Sequence, residues 1–578
     1  MNNMVNLKIN GQDVSVPEGY TVLDAAREVG IDIPTLCYLK DLNEIGACRM
    51  CVVEIKGARA LQAACVYPVS EGLEIYTNSE KVRNARRNTL ELILSNHERK
   101  CLTCVRSKNC ELQTLAEELG VDFIRYEGEN IKYEIENTST SLVRDNNKCV
   151  LCRRCVAACD NQDISVISAV NRGFKTEIGT AFGRPMSDVA CVFCGQCIVA
   201  CPVGALYERN DIPQVMKAID DTEKHVVVQT APAVRAALGE EFGLPIGTPV
   251  TGKMVAALHR LGFDKVFDTD TAADLTIMEE GTEFIERFTK QENLPLITSC
   301  SPGWVKFCEH YYPEFTDNLS TAKSPMEMFA AVIKSYYAEK NNLKREDIYS
   351  VAIMPCTSKK YESARPEHSL DGNRDVDASL TTRELARMIK QAGIDFKSLP
   401  DEEFDNPFGE ATGAGVIFGT TGGVMEAAIR TVYEILEGKP LDNINVEAVR
   451  GLEGVKEATL KIAGKDVKVA VVHGTKNARE ILKRVKEGEH YDFIEIMACP
   501  GGCINGGGQP IVDARTRAVV DVKAKRAAAL YSEDERATLR KSHENPYVQM
   551  LYKEYFEKPC SHKAHELLHT HYTKRSKF

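Results

Sequence analysis

Residues 149–159 read CVLCRRCVAAC, and residues 191–202 read CVFCGQCIVACP. Each is a C-x2-C-x2-C-x3-C run, and a proline follows the second. Thiolates at this spacing hold [4Fe–4S] cubes, and where two runs occur the fourth cysteine of each serves the other cube. The expected ligand sets are Cys149, Cys152, Cys155 and Cys201 for one cube, and Cys159, Cys191, Cys194 and Cys197 for its partner. Disulfides account poorly for these spacings, because no secretory signal precedes them. The crossed sets imply one compact module closed around two clusters.

Upstream, Cys37, Cys48, Cys51 and Cys65 are spaced C-x10-C-x2-C-x13-C, close to the plant-type pattern of a [2Fe–2S] centre. Val5, Leu7 and Ile9 alternate before an Asn10-Gly11 hairpin turn, Val14 and Val16 alternate after it, and a helix is expected from about Val22 to Val29. A small β-grasp ferredoxin fits. Between the two regions lie His97, Cys101, Cys104 and Cys110. Three thiolates lacking a fourth make His97 the expected imidazole ligand of another [4Fe–4S] cluster, with a potential raised by the less negative ligand set. Two other readings stay open: a core histidine on the helix face of Leu90, Ile93 and Leu94, and a zinc site of three cysteines and one histidine.

The 578 residues are 43% hydrophobic, enough for several domains with sizeable cores. A net charge of −11, from 72 basic and 83 acidic residues, argues against a nucleic-acid surface and allows a basic redox partner. The start, MNNMVNLKIN, has no charged leader with an apolar core, and no later stretch is long and apolar enough to span a bilayer, so the expectation is a cytoplasmic protein without a membrane partner. The polar stretch 136–147, ENTSTSLVRDNN, reads as a linker, and a second boundary is expected at 210–214. Beyond it, strands around Val226–Val228, Leu296–Ile297, Val351–Ile353 and Val469–Val472 alternate with helical segments. The expected fold class is multidomain α+β and α/β: a β-grasp [2Fe–2S] domain over 1–78, a His-ligated [4Fe–4S] domain over 79–139, a two-cube module over 140–209 and an α/β domain over 210–578. The tail from about Ser532, with His562, His565, His569 and His571, reads as a solvated or partner-facing helix, with metal binding by the histidines the alternative.

Three short motifs mark the second half: Thr298-Ser299-Cys300-Ser301-Pro302-Gly303-Trp304, Met354-Pro355-Cys356-Thr357-Ser358-Lys359-Lys360, and Glu495-Ile496-Met497-Ala498-Cys499-Pro500-Gly501-Gly502-Cys503. Glycines at 506–508 permit close approach of the backbone to a bulky inorganic group. On the residues alone this is a fifth buried cluster with a lysine nearby. Cys308 and Cys560 are left over and are expected to bind no metal.

In these motifs, and in the order of modules ahead of them, the chain resembles the [FeFe]-hydrogenases, in particular the hydrogen-activating subunit of NAD(P)-linked and electron-bifurcating enzymes of anaerobic metabolism. The resemblance implies an H-cluster, a [4Fe–4S] cube bridged to a diiron unit bearing CO, cyanide and an azadithiolate. It implies Cys503 as the bridging ligand, Cys356 and Cys499 as further cube ligands, and Lys359 as a donor to one cyanide. Ala231, Pro232 and Ser324 would contact the other cyanide, and Met354, Phe418 and Met497 would wall the site; for these last three, ordinary core is the plain reading. Glu280, Ser320, Glu283 and Arg287 match the family's proton chain, although two glutamates on one helix face are most often simply solvated.

The family's first motif has adjacent cysteines, the first relaying protons and the second binding the cube, whereas here the pair is Cys300-Ser301. Thiolate is the better iron ligand, so the expectation is Cys300 on the cube through a local shift of the loop. Ser301 or water on iron with Cys300 still relaying, and an inactive site, stay open.

The expected activity is reversible 2H⁺ + 2e⁻ = H₂, with electrons relayed by one [2Fe–2S] and three accessory [4Fe–4S] clusters. No G-x-G-x-x-G after a strand and no Walker sequence occurs, so coupling to NAD(P)H calls for a flavin-bearing, NAD(P)H-oxidising iron–sulfur partner subunit, with ferredoxin as a further partner. The alternative is a non-catalytic electron-transfer subunit or an H₂ sensor. Fully matured protein should carry roughly 20 irons per chain. Elemental analysis checks this, and stoichiometric zinc with iron reduced to match would show the His97 group to be a zinc site.

Overall fold

Strands β1 (Met4–Ile9) and β2 (Gln12–Pro17) pair antiparallel, and the turn between them places Asn10 at φ +53° and Gly11 at φ +84°, the left-handed pair that matches strand twist. The computed structural model describes residues 3–577. Helix α1 (Val22–Glu28) starts at Thr21, whose hydroxyl accepts from Asp24 N while the Asp24 carboxylate returns the bond, a reciprocal cap. With β3 (Val52–Ile55), β4 (Gln62–Ala63) and β5 (Glu74–Tyr76) the strands form one sheet in the order β2-β1-β5-β3-β4. Leu7, Ile9, Val14, Val16 and Leu23 fill its core, as period-2 and helical patterning demand.

Helix α2 (Glu80–Ser95) buries Val82, Leu90 and Leu94 and ends at Asn96. His97 therefore lies beyond the helix, correcting the expectation that it continues the Leu90–Leu94 face. α3 (Glu111–Glu118) starts at Cys110. The stretch 136–147 is also corrected: it is no linker. Strand β6 (Leu142–Arg144) within it pairs with β9 (Leu206–Glu208), and Ser139, Ser141 and Asp145 are buried. Its polar side chains are spent on backbone, Ser139 Oγ accepting from Leu142 N at 2.8 Å and Asn147 Nδ2 donating to Tyr133 O at 2.8 Å. α4 (Arg154–Asn161), the hairpin β7 (Ile167–Val170) and β8 (Glu177–Thr180), and α5 (Gln196–Ala200) complete the module.

After α6 (Ile212–Ile219), strand β10 (His225–Thr230) opens the α/β half and runs into α7 (Pro232–Arg235). α8 (Thr251–Leu261) leads to β11 (Lys265–Asp268), which feeds α9 (Thr269–Lys290), a helix buried along most of its length. β12 (Leu296–Ile297) and β13 (Ile348–Met354) follow, then a hairpin of β14 (Ser369–Leu370) and β15 (Asn373–Arg374), then β16 (Ala378–Thr381). β17 (Val455–Ile462), β18 (Lys465–His473) and β19 (Phe493–Met497) end the series. One sheet, β11-β10-β13-β16, is wholly parallel; the other, β12-β19-β18-β17, is parallel except at β17.

The C-terminal tail is not solvated. Val548, Leu551, Phe556, Leu567 and Leu568 join Phe267 and Phe329 in one core, and Asn545 Nδ2 donates to Asp274 of α9 at 2.8 Å. The tail's charged residues cover one side of each short helix while its apolar residues close over α9. No helix among the described residues is long and apolar enough to cross a membrane.

Arg154, 1% exposed, pairs with Glu111 at 2.8 Å and donates to Tyr38 O at 2.8 Å, so one guanidinium ties together the first three modules. Arg154→Ala leaves Glu111 and that carbonyl without it. The expected loss is about 3–5 kcal/mol, read as a lower denaturation midpoint with early proteolysis between the modules.

Candidate functional site

Four parallel strands, β10, β12, β13 and β19, deliver their C-terminal ends to one small space, the usual place for a site in open α/β sheets. Ala231 and Pro232 follow β10, Cys300 follows β12, Cys356 follows β13, and Cys499 and Cys503 follow β19. All of them line a cavity of about 80 Å³, together with Ser301, Met354, Lys359, Phe418 and Met497. Burial raises all four thiols, Cys503 to about 12, and the charge of neighbouring thiolates adds to it for Cys300, Cys499 and Cys503, whereas Lys359 pulls Cys356 back down. Thiols so desolvated carry charge only when a cation shares it. The donor set therefore fits an iron–sulfur cube.

The glycines are required by contact. A Cβ at Gly506 would lie 2.2 Å from Pro355 O, and one at Gly507 would lie 2.2 Å from Cys194 O. The 506–508 backbone is thereby pressed between the Cys356 motif and the second cysteine run. Other bonds reinforce that contact: Thr357 Oγ1 donates to Phe193 O at 2.6 Å, Ser358 Oγ to Val192 O at 2.7 Å, and Gln162 Nε2 to Ala498 O at 2.7 Å. Cys499 Sγ is 4.0 Å from Cys194 O. Thr357, Ser358 and Gln162 were not singled out from the sequence, because a hydroxyl or amide that grips a distant carbonyl leaves no local pattern.

Lys359 is buried against Glu362, with 2.6 Å between Nζ and Oε2; burial pulls the ammonium down, and that carboxylate outweighs it. The same Nζ donates to Ser324 Oγ at 2.8 Å and to Cys300 O at 3.3 Å. The charged neighbours that act on the Cys300 thiol are Glu280, Cys503, Lys359 and Glu495; Cys356 acts on both Cys499 and Cys503, and Cys503 on Cys499. Ser301 keeps its register: it precedes the helix Pro302–Tyr311, and its Oγ accepts from Ala498 N at 3.2 Å. The structure brings Cys300 and Ser301 alike to the cavity of Cys356, Cys499 and Cys503.

Glu280 and Glu283 project from α9. Burial pushes Glu280 up to about 8, against a hydrogen bond from Ser320. Ser320 Oγ donates to Glu283 Oε2 at 3.0 Å, and Arg287 Nη2 donates to Glu283 Oε1 at 2.6 Å. Ser320, Glu283 and Arg287 are thus joined by hydrogen bonds beside α9, and Glu280 is the carboxyl whose charge acts on the Cys300 thiol.

The upstream cysteines also gather. Cys149, Cys152, Cys155 and Cys201 line one small cavity and Cys159, Cys191, Cys194 and Cys197 another, a crossed division. Cys37 and Cys48 exchange N–H to sulfur bonds at 3.4 and 3.5 Å, and Cys51 and Cys65 hold their sulfurs 3.3 Å apart, two thiol pairs of the kind two irons require. His97, Cys101 and Cys110 share a cavity, and the His97 Nδ1 is buried without a hydrogen-bond partner, as suits a nitrogen kept for a metal. Cys104 lies against Gly204, where a Cβ would come within 2.6 Å of its sulfur. Cys308 is core, its thiol donating to Tyr312 O.

Comparison with known proteins matches residues 224–507 to the family "iron only hydrogenase large subunit, C-terminal domain" and 520–575 to "iron hydrogenase small subunit". Residues 2–80 match a 2Fe-2S cluster binding domain, 86–125 the NADH-ubiquinone oxidoreductase-G iron-sulfur binding region, and 148–205 a 4Fe-4S dicluster domain. The chain is 51% identical to the NADP-reducing hydrogenase subunit HndD of Solidesulfovibrio fructosivorans, over 99% of this chain and 100% of that one. It is 44% identical to iron hydrogenase 1 of Clostridium pasteurianum, over 99% and 100%. A solved apo [FeFe]-hydrogenase HydA1 of Chlamydomonas reinhardtii matches with 42% identity and a TM-score of 0.56, over 64% of this chain and 100% of that one.

Because its folded value, about 8, lies above the ordinary 4.5, Glu280 adds stability that is fully present below about pH 4.5 and lost as pH rises through about 8. Infrared difference spectra against Glu280→Gln should show a protonated carboxyl band at neutral pH that disappears above about 8. A band already absent at pH 6 would place the carboxylate in water.

Proposed function

Because this chain belongs to the iron-only hydrogenase family, we propose that its buried thiols and Lys359 hold an H-cluster and that its three upstream modules feed that site with electrons. The chain is an iron hydrogenase with accessory iron–sulfur domains, catalysing 2H⁺ + 2e⁻ = H₂. The observation that carries the site reading is the convergence of Cys300, Cys356, Lys359, Cys499 and Cys503 on one apolar cavity. The bound H-cluster supplies the chemistry of hydrogen itself; the protein orients it, excludes water and moves protons.

Cys356, Cys499 and Cys503 bind the cube in this reading, with Ser301 at the fourth position and Cys503 on the side facing Lys359. Lys359 holds a buried anionic ligand with a charge-assisted bond, its ammonium kept by Glu362. Ala231 and Pro232 would position the opposite ligand, Ser324 stands instead on the Lys359 side with its Oγ 2.8 Å from Nζ, and Met354, Phe418 and Met497 keep the cavity dry. Cys300 carries protons between the cavity and Glu280, and Ser320, Glu283 and Arg287 continue the route. With clusters bound, the Cys194–Cys499 contact would place the cube held by Cys159, Cys191, Cys194 and Cys197 next to the active-site cube, and the sets of Cys149, Cys152, Cys155 and Cys201, of His97, Cys101, Cys104 and Cys110, and of Cys37, Cys48, Cys51 and Cys65 would hold the other electron carriers.

The relative HndD is named a subunit of an NADP-reducing hydrogenase. With that relationship along the whole chain, the present protein is the hydrogen-activating subunit of an NAD(P)-linked cytoplasmic complex, its partner a flavin-bearing iron–sulfur subunit; co-purification with such a subunit tests this.

Hydrogen evolution after diiron maturation tests the activity. Cys300→Ala should keep the iron of the cube and lower turnover by about 10²-fold or more, whereas Ser301→Cys should strengthen cube retention. Lys359→Ala should release the diiron unit with the accessory-cluster signals intact. Loss of the cube in Cys300→Ala would return that thiol to the ligand set, and normal turnover with intact diiron infrared bands in Lys359→Ala would overturn the site assignment.

A further inference from the structure

Cys560, His565 and His569 each offer a ligand atom, and the three atoms lie within 4.8 Å of one another. His565 and His569 stand one helical turn apart around the short helix His562–Leu568, with ring centroids 4.2 Å apart. Cys560 precedes that helix at φ +53°, its N donates to Glu279 Oε2 at 2.8 Å, and its thiol donates to Glu279 O at 3.6 Å. His569 is 8% exposed and Glu279 is fully buried, whereas His565 is open to solvent. A cation could therefore enter past His565 and settle against a buried carboxylate. One thiolate and two imidazoles are the ligands of a borderline-soft divalent ion, with a fourth position left for water.

This group is linked to Glu283. His569 Nε2 is 3.0 Å from Glu279 Oε2, and its Nδ1 is 2.8 Å from Thr321 Oγ1. Thr321 in turn donates to Glu283, from N at 3.0 Å and from Oγ1 at 3.2 Å. One ring nitrogen of His569 thus meets Glu279, and the other reaches Glu283 through Thr321.

We propose that Cys560, His565 and His569 form a binding site for a zinc-class divalent cation, and that filling it slows proton passage at Glu283. The second part rests on the proton route given above. Binding converts the Cys560 thiol to a thiolate and releases one proton for each ion taken up. Zinc would compete with Glu279 for His569 and place a dipositive charge beside the glutamates at the mouth of the route. The sequence offered no such role to Cys560, which lies outside every cluster motif; the packing of the tail over α9 brings it to the histidines.

The test uses protein with all clusters installed, so that no cluster thiol is free to take zinc. After Zn²⁺ is added and excess removed, X-ray absorption at the zinc edge should show one sulfur and two nitrogen neighbours. Cys560→Ser and His565→Ala should each weaken binding by about 10–100-fold, the scale of losing a ligand-shell contact. Zinc held equally by both variants, or without a sulfur neighbour, would overturn the site. Hydrogen turnover with Zn²⁺, expressed against each protein's own zinc-free rate, should fall in the unaltered chain, recover with chelator, and hold steady in the variants. Zinc bound by one sulfur and two nitrogens without slowing turnover would leave the site standing and sever it from the proton route. Glu283→Gln with full turnover would instead remove the route, leaving zinc binding untouched.

Discussion

A thiol sealed from water cannot hold a negative charge by itself, and this chain seals many of its cysteines. Cys155, Cys197 and Cys499 are all raised far above the ordinary thiol range by burial, with neighbouring thiols adding to it. Each group becomes a stable part of the interior when a metal shares the charge, so cluster binding and folding are one equilibrium for these modules. The surrounding features serve that requirement: glycines where backbone must come close, small cavities around each set of four, and a lysine whose own charge is fixed by a carboxylate.

The α/β half meets the same requirement by a different route. Its cavity-lining cysteines, Cys300, Cys356, Cys499 and Cys503, are far apart in the sequence and are gathered because strands of two separate sheets end around one cavity. Buried α9 then lies alongside that cavity and supplies the acids. A helix this deeply buried is a costly place for Glu280, and the cost appears as a carboxyl that keeps its proton near neutrality. Such a group is poised to give or take a proton at physiological pH. The C-terminal wrap, which closes over the same helix, keeps the acids from bulk water everywhere except near Arg287 and the tail histidines.

Legibility from sequence followed the range of the interactions. The [2Fe–2S] and two-cube ligand sets could be read because their spacing is local and the metal dictates it, and the β1–β2 hairpin could be read because Asn10-Gly11 fits one turn type. For Cys300, Cys356, Cys499 and Cys503 the residues alone showed a fifth buried cluster with a lysine nearby, and the individual roles came from family resemblance, since no spacing relates residues that meet only in the fold. His97 was put on a helix that stops at Ser95, because apolar periodicity runs on past the end. The stretch 136–147 looked like a linker because its serines and asparagines are the residues of loops; here they hold a strand by bonding its backbone. The tail looked solvated because its apolar residues are spread over several short helices, each with too few to form a visible stripe.

The grip of Thr357 and Ser358 on the Phe193 and Val192 carbonyls has a kinetic consequence. Where a carrier domain must swing or dock before it can hand on an electron, the rate depends on viscosity and on the fraction of time spent docked. Here the last carrier and the reaction centre share a clamped piece of backbone, and no encounter precedes the final transfer. That transfer is a first-order event within one rigid body, set by distance and driving force. Whatever limits the flow of electrons lies upstream, at the exposed modules where a partner must arrive.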